Sequence, residues 1–243
     1  MTDSKYKVTV GMPVYGVEKY IHKSLLSVLN QTYKNDFEIL VVDDLGPDNS
    51  MDIVRELQSS HPRGNNIRIL TQPKNMGCWA ARNRILEEAQ GEYLLLLDSD
   101  DYLSENTLEI MLATIEKYQA EVVYGSVEPV PEAGKPTNLT EKDIKLPFKL
   151  LLGKDELASY ANQDLHATLY NFIWNVLFSM DFLSSLVSFR PIQSTSMAIS
   201  SFGTKLTVKS VSVFRPSLSS VFSPVTTSFI SARFMFLRLS FTV

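Results

Sequence analysis

Acidic side chains crowd two short stretches of the sequence, Asp43-Asp44 and Asp98-Ser99-Asp100-Asp101. Each directly follows an apolar run, "ILVV" before the first and "YLLLL" before the second. Two carboxylates about 5 Å apart repel by about 3 kcal/mol at an effective dielectric of about 20. A rim that gathers several of them needs a positive charge. A divalent cation supplies it and prefers oxygen ligands. A cation held by only one or two side chains keeps open positions for a diphosphate. The chemistry suggested is therefore the binding of a metal and a nucleotide. A single Asp at a strand end is more simply a turn residue, because its side chain accepts from nearby backbone amides. Asp98 and Asp100 on one strand end, with Asp43 and Asp44 on another, favour a ligand site. Asp101 reads as a residue bonding the loop toward Ser104, the expected cap of the next helix.

The elements that must hold these carboxylates alternate in type. "YKVTVGMPVY" (6–15) is rich in β-branched residues and closes near Pro13, which predicts a strand. "EKYIHKSLLSVLNQ" (18–31) carries Ile21, Leu25, Leu26 and Leu29 at helical spacing. "FEILVVDD" (37–44) and "YLLLLD" (93–98) are continuous apolar runs, as strands covered on both faces require. "NSMDIVRELQSS" (49–60) predicts a helix capped by Asn49 or Ser50, and "IRIL" (67–70) a short strand. "GCWAARNRILEEAQG" (77–91) predicts a helix stopped by Gly91, "SENTLEIMLATIEKYQ" (104–119) a capped helix, and "EVVYGSV" (121–127) a further strand. This order predicts an α/β fold, a mainly parallel sheet with helices on both faces. Ligands of such sheets bind at the carboxyl ends of the strands, where both acidic stretches fall. The helix beginning near Asn75-Met76-Gly77 presents its amino end on the same side, a position suited to phosphate.

The composition is ordinary for a soluble globular protein. The 243 residues suffice for one large domain or a domain with a small appendage. A net charge of −4 gives no reason to expect nucleic acid as a partner. One cysteine, Cys78, forms no internal disulfide, and a reducing compartment is the natural reading. No stretch reaches the ~20 apolar residues of a membrane span, and the start lacks the layout of a signal peptide. The expected location is cytoplasmic, with peripheral attachment at the cytoplasmic membrane face left open.

At this point "VTVGMPVYGVEKYIHKSLLSVLNQTY", "FEILVVDDLGPDNS" and "NMGCWAARNRILEEAQGEYLLLLDSDD" together resemble the family 2 glycosyltransferases. The resemblance covers roughly residues 6–183. D-x-D alone is weak, but the ordered set P-V-Y, V-V-D-D, N-x-G with A-R-N, and L-D-S-D-D is specific. It implies a GT-A fold and an inverting transfer of a sugar from a nucleotide-sugar donor, most naturally a UDP-sugar, to a glycan or lipid-linked acceptor in cell-surface polysaccharide or glycolipid synthesis. It further implies that Asp43 or Asp44 hydrogen-bonds the base or ribose, with Pro13 and Tyr15 bordering the base pocket. Asp98 would face the ribose or sugar, and Asp100 would ligate Mn²⁺ or Mg²⁺ with the donor diphosphate. Arg82 would stand near the diphosphate or brace the Asp98 loop. A plain surface salt bridge explains Arg82 equally well. One departure is visible: Leu45-Gly46 stands where the family usually has Gly-Ser. Trp79 and Cys78 read as core packing. His22, His61 and His166 have no metal-ligand spacing.

The resemblance divides the chain into a nucleotide-sugar-binding core (1–127), an acceptor-side helical segment (128–183) and an atypical tail (184–243). The segment at 164–183 carries Trp174-Asn175 and "DFL" as the family does. The family then places a Glu-Asp pair whose Asp is the general base. From Phe182 to Val243 this chain has no acidic residue. Residues 176–243 carry one acidic and six basic side chains, no Tyr and a single glycine, Gly203. Three explanations stand. The tail is a β-prone module, as "KLTVKSVSVF" permits; or the base comes from Asp164 or Asp181; or the tail is translated out of frame from near Ser184, the reading favoured here. The rival functional reading is an inactive fragment that binds nucleotide and metal but lacks the base. A sugar nucleotidyltransferase ranks below both, since "PVYGVEKY" is not the glycine-rich basic loop that class needs.

Overall fold

A computed structural model describes residues 4–129, 149–152, 176–185 and 204–215. Strand β1 (Tyr6–Val14) lies between β2 (Glu38–Asp43) and β4 (Gly91–Leu96), parallel to both. Strand β3 (Ile67–Thr71) pairs parallel with the other side of β2. All six residues of β2 are buried, which explains its unbroken apolar pattern. Beyond β4 the pairing turns antiparallel. Strand β8 (Val176–Ser179) pairs with β4, β6 (Val122–Pro129) with β8, and β9 (Thr204–Arg215) with β6. Short β5 (Tyr102–Leu103) and β7 (Lys149–Leu152) both run parallel to β9. The described residues thus form one mixed sheet ordered β3-β2-β1-β4-β8-β6-β9-β5, with β7 on β9.

Helices cover both faces. On one, α1 (Glu18–Leu29), α2 (Ser50–Ser60) and α4 (Thr107–Lys117) pack on Val8, Val10, Met12, Ile39 and Leu95. Helix α1 buries Ile21, Ser24, Leu25, Val28 and Leu29, a single stripe at helical spacing. On the other, α3 (Cys78–Glu88) and α5 (Met180–Ser185) meet Leu40, Val42, Leu94 and Leu96. Gly11 makes the approach of α3 possible: a Cβ there would stand 2.3 Å from a methyl of Ile85.

The helix starts differ from the local caps that the sequence predicts. Asn49 precedes α2 without a side-chain cap bond. Asp48 acts instead, accepting from the Ser50 amide (3.2 Å) and hydroxyl (2.5 Å) and from the Glu18 amide (2.9 Å) at the start of α1. Burial opposes ionisation of Asp48, but those hydrogen bonds outweigh it and hold its carboxyl below the usual range. Ser104 does not cap α4 with its side chain. The buried Gln31, just past the end of α1, accepts at Oε1 from the Leu108 amide (2.9 Å) and donates from Nε2 to the Ser104 carbonyl (2.6 Å).

The predicted acceptor-side segment is helical only from Met180 in its described part; 149–152 and 176–179 are strands. Val176-Leu177-Phe178 is a β-forming run, and pairing on β4 and β6 decides its conformation. The alternating stretch "KLTVKSVSVF" forms most of β9. Asp164, His166 and Trp174-Asn175 lie outside the described residues, as does the tail other than Ser184-Ser185 and β9.

Glu121, just before β6, shows how the fold responds to pH. Its Oε2 is buried with no hydrogen-bond partner among the described residues. Burial pushes its carboxyl up to about 7. The folded state therefore binds this proton more tightly than the unfolded chain. The associated stability is full below the unfolded pKa of about 4.3 and is lost as pH rises through about 7. Glu121→Gln removes the dependence. Discounted for partial solvation, the variant gains about 1 kcal/mol on the wild type between pH 5 and pH 8. Urea unfolding at the two pH values checks this, and a pH-independent difference contradicts it.

Candidate active site

Three strand ends build one rim. Asp43 closes β2 opposite Val14 of β1, and the Asp44 amide donates to the Val14 carbonyl at 3.0 Å. Strand β4 rises on the other side of β1, where the Leu97 amide donates to the Gly11 carbonyl at 2.9 Å. The chain then folds over β1: the Ser99 hydroxyl donates to the Pro13 carbonyl at 2.6 Å. The Asp101 amide closes the turn onto the Asp98 carbonyl at 2.9 Å. Pro13, Asp43, Asp44, Asp98 and Asp100 are thus gathered on adjacent strand ends, and Tyr15, half exposed, stands beside them.

The carboxylates differ in environment. Asp43 is buried, and its Oδ1 accepts from the Leu45 amide at 2.8 Å. Asp44 is 2% exposed, and its two oxygens accept from the Met76 and Gly77 amides, both at 2.8 Å. The approach to α3 is therefore occupied by a carboxylate from β2. Those two amides belong to the loop before the helix, which itself begins at Cys78.

Asp98 pairs with Arg82, which projects from the second turn of α3. The Arg82 side chain is only 12% exposed and lies 5.1 Å over the Trp79 ring. Its Nε is buried without a hydrogen-bond partner among the described residues. Burial pulls the guanidinium toward neutrality, but Asp98, and more weakly Asp100, outweigh that and keep it charged. The surface salt bridge is thereby excluded, and Arg82 braces the Asp98 loop from within. Trp79 is half-buried as the platform beneath that guanidinium, and Cys78 is exposed on the first turn of α3. Both differ from the core packing predicted for them, because α3 turns its first residues toward the rim.

Asp100 is half-buried in the same turn. No group of three or more His, Cys, Asp or Glu side chains among the described residues can hold a metal alone. The donor set fits a cation that shares its ligands with a bound molecule: a hard carboxylate oxygen at the rim, beside an Asp98 already matched by Arg82. The turn after Asp44 carries a feature the sequence hides. Leu45 is left-handed, with φ +57°, and its side chain is 46% exposed. Such a conformation costs a leucine about 1 kcal/mol. The only sequence signal was the departure from Gly-Ser.

Residues 9–175 match the family model described as glycosyl transferase family 2, and the chain belongs to that family. It is 32% identical over 145 residues to an uncharacterized glycosyltransferase of Haemophilus influenzae, covering 60% of this chain and 56% of that one. It is 38% identical over 123 residues to an Escherichia coli enzyme, UDP-Glc:alpha-D-GlcNAc-diphosphoundecaprenol beta-1,3-glucosyltransferase WfgD, covering 51% and 46%. Staphylococcus aureus TarS, solved as residues 1–349 with UDP-GlcNAc, superposes with a TM-score of 0.62 at 21% identity, over 94% of this chain and 66% of that one. That likeness fixes the GT-A fold. The chain spans about half the length, or less, of these curated relatives.

If Asp44 pins the loop before α3, Asp44→Ala strands two amides and destabilises the protein by about 2 to 4 kcal/mol. Chemical denaturation measures the loss. An alanine variant as stable as the wild type contradicts the brace.

Proposed function

We propose that this chain is an inverting, metal-dependent glycosyltransferase. It takes a sugar from a nucleoside-diphosphate donor, a UDP-sugar foremost, and passes it to a hydroxyl of a glycan or lipid-linked acceptor in cell-surface polymer synthesis. The observation that carries the reading is the convergence of Asp43, Asp44, Asp98 and Asp100 on neighbouring strand ends, in a chain of this family. The relatives' names support the donor and acceptor classes: WfgD is named for a UDP-glucose donor and a diphosphoundecaprenol-linked acceptor, and TarS for poly(ribitol-phosphate).

Residues 1–127 bind the donor in this reading, 128–183 the acceptor. Tyr15 and Pro13 border the base, and Asp43 or Asp44 accepts from its N–H or from the ribose. Asp98, held by Arg82, orients the ribose or the sugar. Asp100 holds Mn²⁺ or Mg²⁺, which when bound supplies positive charge for the departing diphosphate. Direct displacement also needs a base on the face opposite the leaving group. That residue is left unassigned, since no acid follows Asp181. In this reading the reaction is cytoplasmic, with peripheral attachment at the cytoplasmic membrane face left open. Among the described residues no helix is long and apolar enough to cross a membrane.

Calorimetry with UDP and Mn²⁺, followed by release of UDP from a UDP-sugar, tests the reading. The wild type binds UDP more tightly with Mn²⁺ than without. Asp100→Ala loses about tenfold or more of that manganese-dependent affinity. Unchanged affinity in the variant refutes the assignment, and binding without turnover identifies a nucleotide-holding protein rather than a transferase.

A further inference from the structure

The exposed large apolar side chains among the described residues are Tyr15, Tyr20, Leu45 and Met76. Three of the four surround Asp44. Leu45 follows it, the Met76 amide donates to its Oδ1 at 2.8 Å, and Tyr15 directly follows Val14, the last residue of β1, whose carbonyl accepts from the Asp44 amide. The loops also touch through backbone. A Cβ on Gly46 would lie 2.7 Å from the Gly16 nitrogen and 3.3 Å from the Tyr15 Cα. Leu45 is thus locked in place by Gly46 on one side and by the Asp43 carboxylate, which accepts from its amide, on the other. Leu45, 46% exposed, belongs to neither buried core cluster. Gln119, past α4, shares the left-handed backbone away from the rim, so what marks Leu45 is its place: strained residues persist where their surroundings fix them and cluster at ligand sites.

We propose that Leu45, with Met76 beside it, is an affinity- and specificity-determining wall for the nucleoside half of the donor. This rests on the donor reading above. The ligand half that fits has an apolar face for Leu45 and N–H or O–H groups for the Asp43–Asp44 side, as a base with its ribose has. The spacing agrees: β2 ends two residues before Leu45 and β4 four before Asp100, and the two strands lie two intervals apart, about 10 Å, the reach from a nucleoside to its diphosphate.

Leu45→Gly, Leu45→Asn and Leu45→Met variants test the wall, with UDP, pyrophosphate and thermal unfolding as readouts. Glycine and asparagine tolerate the left-handed turn, so both variants hold or raise Tm. Both bind UDP about five- to tenfold more weakly, pyrophosphate with Mn²⁺ as before, and Leu45→Met restores UDP affinity to within about twofold. UDP affinity equal to wild type in Leu45→Gly and Leu45→Asn overturns the wall while leaving the donor site standing. A wild type that binds no UDP overturns the donor reading and the wall together.

Discussion

Like charges at neighbouring strand ends are the constraint on which this molecule turns. Across the two strand intervals between the ends of β2 and β4, about 10 Å, two carboxylates repel by about 1.7 kcal/mol, at least the worth of an ordinary hydrogen bond. The fold meets that cost group by group. Asp43 spends its charge on the turn that follows it, and Asp44 on two loop amides. Asp98 faces a buried arginine. Asp100, half-buried at the same turn, also adds to the field that keeps that arginine charged. The rim is thereby graded in exposure, from the buried Asp43 and Asp44 to the half-buried Asp98 and Asp100.

The scaffold holds the gradient through contacts distant in sequence. Arg82 reaches Asp98 because α3 lies close on β1 and β2, and α3 lies close because Gly11 carries no side chain against Ile85. At the opposite end of the strands Glu38 is buried. It accepts from Thr9 Oγ1 at 2.6 Å, the Gln90 amide at 3.0 Å and Arg68 Nε at 2.7 Å, joining β1, β2, β3 and the turn into β4. A buried carboxylate is tolerated there for the reason Asp44 is tolerated at the rim: every oxygen has a donor.

Much of this was legible in the sequence. Continuous apolar runs marked β2 and β4 as strands buried on both faces, and their carboxyl ends located the rim before any coordinate was known. Helical spacing gave α1, and the order of motifs gave the family. What was not legible depended on partners far along the chain. Gln31 caps a helix more than seventy residues away, a relation no local capping rule contains. Asp48 replaces Asn49 because two helix starts meet at it. The antiparallel half of the sheet was hidden for the same reason, since β8 owes its conformation to β4 and β6. Arg82 needed the third dimension to be distinguished from a surface ion pair. The φ of Leu45 left only a faint trace, an unusual residue in a turn.

The most direct test of the graded rim is a crystal grown with Mn²⁺ and UDP and measured at the manganese absorption edge. The account predicts an anomalous peak within coordination distance of an Asp100 carboxylate oxygen, about 2.2 Å, with Arg82 still on Asp98. A peak on Asp43 or Asp44, or bound UDP with no manganese at Asp100, contradicts it.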